Sequence, residues 1–96
     1  IRGGAFANQV TQASIDGQDK IEELRNTDYA ALAGGHDSVV SGNGITYTRT
    51  WTVTESIPPG TTGTPTSKMK TIDLTVSWMG PQGRTHRIEF STIVFQ

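Results

Sequence analysis

The chain has 96 residues, 33% of them hydrophobic and 18% charged, with a formal net charge of −1. That length supports one small core and leaves no room for a second. Eight basic residues scattered among nine acidic ones exclude the basic stripe of a nucleic-acid binder, and the absence of cysteine excludes a disulfide framework, a thiolate metal site and a thiol nucleophile.

The first segment is helical by period. Phe6, Val10, Ala13, Ile21 and Leu24 recur at three-to-four spacing with Gly17 on the same line, which predicts one long amphipathic helix over residues 5–26. Asp16 with Lys20 and Glu22 with Arg25 form acid–base pairs at helical spacing, each worth about 0.3 kcal/mol. Asp16, Asp19, Glu22 and Glu23, interleaved with Lys20 and Arg25, read as a solvated face. Gly17 either lets the sheet or another helix approach closely or is simply a tolerated small residue.

Thr27 or Asp28 is placed to cap a short helical turn over 28–33, which folds Tyr29 and Leu32 under the end of the long helix. Residues 34–44 are rich in glycine and polar side chains and read as a loop, with Asn43-Gly44 as a turn at its end.

Three alternating segments follow, at about 45–54, 69–78 and 84–95. In the first, Ile45, Tyr47, Arg49, Trp51 and Val53 share one face, and threonines hold the other. Arg49 interrupts the apolar face, so its guanidinium must reach solvent, stack on an aromatic ring or meet a carboxylate, with Asp73 and Glu89 as candidate partners. The second segment presents Ile72, Leu74, Val76 and Trp78; the third presents Ile88 and Phe90. Ile93 and Phe95 fall on the opposite parity, which predicts a bulge or an exposed apolar end. The polar stretch 55–67 is long for a hairpin connection and reads as a mobile loop. The fold class is therefore α+β: one long helix packed on a small antiparallel meander of three to four strands. Its core is Val10, Ala13, Ile21, Leu24, Trp51, Ile72, Leu74, Val76, Trp78, Ile88 and Phe90.

Catalytic, cofactor and metal signals are weak throughout. His36-Asp37-Ser38 contains triad residue types, but adjacency does not give triad geometry. His36 and His86 have no third ligand at a metal-binding spacing, and no glycine run fits a phosphate loop. The expectation is a non-enzyme without cofactor or metal.

The order of elements, with the wording IEELRNTDYAAL, YTRTWTV, KTIDLTVSW and a closing RIEFSTIV, resembles the type IV minor pilins, PilV-type in particular, and the minor pseudopilins of type II secretion. The resemblance covers roughly residues 5–95. It implies a pilin-like fold and a subunit that helps to initiate or prime pilus assembly through packing. The partners it implies are other minor pilins or pseudopilins and the assembly platform. It also implies an anchoring inner-membrane helix of about 20 apolar residues upstream, a periplasm-facing location and then the pilus. No such stretch is present, and the opening Ile1-Arg2-Gly3-Gly4 reads as the start of a portion of a longer protein or as the end left by a cleaved secretory signal. The calcium-binding loop of some pseudopilins does not carry over, since Asp37, Glu55 and Asp73 are isolated in sequence.

Under that reading the work is association. The helix face away from the sheet, with Asn8, Gln12, Asp19 and Glu23, together with Arg49 and the edge of the last strand, supplies candidate contact residues. Two alternatives are a minor pseudopilin and a secreted module that recognises glycan or protein through Tyr47, Trp51 or the 55–67 loop.

Overall fold

The apolar stripe of the first segment winds into α1 (Arg2–Arg25). The computed structural model describes residues 2–42, 44–57, 68–80 and 83–96, with side chains from Ala7 onward. Phe6, Asn43, Pro81 and most of the 55–67 stretch, Pro58-Pro59 included, thus lie outside the described side chains or residues. The C-terminus of α1 is closed by Thr27, whose hydroxyl donates to the Glu23 carbonyl at 2.9 Å, satisfying one of the carbonyls a helix end leaves free. Thr27 therefore serves the preceding helix. Asp28 stands at the N-cap of a single 3-10 turn, Tyr29–Ala31, without a side-chain capping bond.

Four strands follow: β1 (Gly35–Val40), β2 (Thr46–Ser56), β3 (Met69–Met79) and β4 (Thr85–Phe95). They pair in sequence order as an antiparallel meander. The segment 34–44, read from sequence as a loop, thus contains an edge strand. Tight turns at Gly44 (φ 80°) and Gly83 (φ 78°) join β1 to β2 and β3 to β4, a left-handed conformation that glycine adopts without steric cost.

One face of this sheet is covered. Ala13, Tyr47, Leu74, Val76 and Trp78 form a buried cluster with Val10, Ile21, Ile45, Trp51, Ile88 and Phe90 packed around it. Leu24, Leu32 and Ile72 form a second, flanked by Ile21, Trp51, Val53 and Val94. The helix contributes the buried side chains of Ala13 and Leu24; β3 contributes alternate residues from Ile72 to Trp78. Burial on this scale, at about 25 cal/mol per Å² of apolar surface, is the main term holding so small a domain together. The other face of the sheet stays open, with Thr46, Thr48, Thr50, Thr52 and Thr54 all exposed along β2.

At Gly17 the two layers approach closely. A Cβ built there would lie 2.2 Å from Cε1 of Phe90, so the helix passes directly over that ring. Of the two readings open in the sequence, the close approach is the one observed. At the end of β4 the register to β3 runs unbroken through Ile93 and Phe95. There is no bulge; those two side chains stand exposed on the open face, while Val94 turns inward.

Candidate functional site

Arg49 lies on the covered face of β2, beneath α1, with 13% of its side chain exposed. The adjacent strand answers it. Asp37 on β1 is its cross-strand partner, and the guanidinium donates from Nε to Oδ1 at 2.6 Å and from Nη2 to Oδ2 at 2.8 Å. Its Nη1 donates to the backbone carbonyl of Asp16 at 3.1 Å, tying sheet to helix. This corrects the sequence expectations: the partner is neither Asp73 nor Glu89, and the charge is not in water. Arg49 is consequently turned away from any external partner.

Lys20 completes the group from the helix side. Its ammonium stands 2.8 Å from Asp37 Oδ2, pairs with Glu23 and lies 4.6 Å from the centroid of the Trp51 ring. Lys20 and Asp16 are both buried, so the solvated helix face begins further round than the charge pattern suggests. The i,i+4 expectation for Asp16 and Lys20 gives way to other partners: Lys20 goes to Asp37 across the layers and to Glu23 one turn on, and Asp16 Oδ1 accepts from Gln12 Nε2 at 3.0 Å while its buried Oδ2 has no hydrogen-bond partner among the described residues.

Burial opposes the charge on Asp37, but the hydrogen bonds from Arg49 and Lys20 outweigh it and hold the carboxyl below its ordinary value. Burial likewise opposes the charge on Lys20, and its bonds to Asp37 and Glu23 overcome that and raise it. Asp37, Arg49, Lys20 and Glu23 thus neutralise one another across three elements. Such a group fixes register and helix placement; it presents no free nucleophile or base.

The remaining candidates are dispersed. Asn8 and Asp19 are exposed on α1; Glu23 is exposed but bonded to Lys20, and Gln12 is half-buried. His36 and Ser38 project from the open face of β1 while Asp37 projects beneath the helix, so the triad residue types point to opposite sides of the sheet. His36 and His86 sit on opposite edge strands, and among the described residues no group of three potential ligands could hold a metal. Tyr47 is fully buried, with its hydroxyl on the Gln9 carbonyl at 3.3 Å. Trp51 is half-buried and donates to the Ala33 carbonyl at 3.1 Å. Neither forms an exposed aromatic platform.

Asp37 was the residue that sequence reasoning missed as the partner of Arg49. The available signal was Arg49 itself, a charge on an otherwise apolar strand face, which calls for a carboxylate on a neighbouring strand.

No described helix is long and apolar enough to cross a membrane. No family model matches the chain, and neither the curated proteins nor the solved structures contain a match.

Proposed function

We propose that this chain is the globular domain of a type IV minor pilin, which helps to initiate or prime pilus assembly by packing against other minor pilins and the assembly platform. The observation that supports it most is the division of α1. One stripe, through Ala13, Lys20 and Leu24, is sealed onto the meander. The opposite side, with Asn8, Thr11, Ile15, Gln18 and Asp19, is exposed along the helix, as lateral packing between subunits requires. With Asp37, Arg49, Lys20 and Glu23 paired to one another beneath the helix, the proposal is for a structural, non-enzymatic subunit that needs no cofactor. On this reading the native protein carries an apolar anchor ahead of α1, starts in the inner membrane facing the periplasm and ends in the pilus. The secreted-module alternative loses its basis in exposed aromatics, since Tyr47 is buried and Trp51 is committed to the Ala33 carbonyl.

Co-purification tests membership. Capture of minor pilins by the full-length protein, and loss of surface pili when its gene is deleted, are the expected results. Capture of minor pseudopilins instead transfers the protein to type II secretion, and capture of neither, with pili intact, removes the proposal.

A further inference from the structure

The sheet ends on β4, and among the described residues no further strand pairs with its outer side. Its 11 residues run without proline or bulge. A long regular edge of this kind is a template for a further strand. Beside it, α1 and β4 bound a groove of about 580 Å³, with Gln18, Ile21, Glu22 and Arg25 on the helix wall and Phe90 and Thr92 on the strand.

The side chains of β4 select the strand that fits. Arg87 and Glu89 are exposed on the open face, one on each side of Ile88. A second β4 laid antiparallel about a two-fold axis at Ile88 brings Arg87 of each copy opposite Glu89 of the other, giving two favourable cross-strand charge pairs. Sliding by two residues in one direction opposes Arg87 to Arg87, and in the other Glu89 to Glu89, both unfavourable. Sliding by one residue puts the side chains on the wrong faces. The favoured register also sets the second copy's Arg84 across from Thr92, at the mouth of the groove where Glu22 is exposed.

We propose that the chain forms a two-fold dimer by antiparallel β4–β4 pairing in the register chosen by Arg87 and Glu89. The two four-stranded sheets become one continuous sheet with both helices on the same face. This pairing is independent of the pilin membership proposed above, since it follows from the strand edge alone.

Sedimentation equilibrium on the 96-residue chain tests it. The expected result is a monomer–dimer equilibrium in which Arg87→Glu and Glu89→Arg each weaken association by about tenfold, because two attractive pairs become two repulsive ones. An equimolar mixture of the two variants, and the double exchange Arg87→Glu/Glu89→Arg, regain wild-type association. The mixture and the double exchange restore the pairs without restoring the sequence, so a general loss of folding does not mimic the pattern; should a single reversal fail to fold by circular dichroism, the double exchange carries the test. A wild-type chain that stays monomeric up to about 1 mM overturns the proposal. So does association that the single reversals leave unchanged, or that the exchanged chain fails to regain.

Discussion

Asp37 and Arg49 face each other across the β1–β2 ladder and share two hydrogen bonds, 2.6 and 2.8 Å long, beneath the helix. Removing Arg49 alone leaves Lys20 as the one cation against Asp37 and Glu23, whereas replacing both Asp37 and Arg49 by apolar groups leaves the balanced Lys20–Glu23 pair and is far less costly. Arg49→Met is expected to destabilise the domain by about 2 kcal/mol, the usual range for buried pairs reduced for the partial exposure of Asp37. Asp37→Leu/Arg49→Met should recover most of that loss. Urea unfolding of the two variants and the wild type checks both; equal losses for the single and double variants contradict the account.

The same carboxylate makes the stability of the fold fall in acid. Asp37 titrates lower in the folded chain than in the unfolded one, so its contribution is complete above the unfolded value of about 3.9 and fades as pH falls through the folded value. Lys20 titrates higher when folded, so its contribution is complete below about 10.4 and fades as pH rises through the folded value. Between those limits neither group makes stability depend on pH. Asp37→Asn is expected to lower the thermal midpoint at neutral pH and to narrow its difference from wild type below about pH 4. Thermal melts from pH 2 to 7 measure the difference, and a gap constant with pH contradicts the assignment.

The sequence shows β2 and β3 plainly because their covered faces are nearly continuous runs of large apolar side chains, Tyr47 to Val53 and Ile72 to Trp78. β1 gives no such signal. Its covered positions are Gly35, Asp37 and Val39, and what holds it is the ladder to β2 and the Arg49 bond, both long-range. Lys20 misleads for a related reason: polar periodicity assigns charges to water, while here Trp51 and Asp37 supply an environment for its ammonium that comes from other elements. Thr27 is ambiguous locally, since a threonine between two helical segments can serve either one.

The contact between Gly17 and Phe90 makes a prediction of opposite sign from helix propensity. In an exposed helix Gly→Ala gains about 1 kcal/mol. Here the new methyl meets the ring at 2.2 Å, and overpacking of this kind costs about 1–3 kcal/mol. Gly17→Ala alone is expected to lower the thermal midpoint, and Gly17→Ala/Phe90→Leu to lie above Phe90→Leu. If Ala stabilises both backgrounds equally, the ring does not pack against the glycine.

Gln9 offers the last test, at the other end of the seam. Its Oε1 accepts from Trp78 Nε1 at 3.0 Å in a buried setting, while its backbone carbonyl accepts from the Tyr47 hydroxyl. Only the side-chain bond is open to substitution. Gln9→Leu keeps the shape and removes the acceptor, leaving a buried indole N–H unpaired at a cost of about 1–3 kcal/mol. In a Trp78→Phe background the donor is already gone, so the same Gln9→Leu change should be close to neutral. The difference between the two effects, read by chemical unfolding as a double-mutant cycle, is the coupling of the pair. A coupling near zero means that the bond does not help to fix the helix on the sheet. A coupling above about 1 kcal/mol makes Gln9 an anchor of α1 on the sheet, one turn before Ala13.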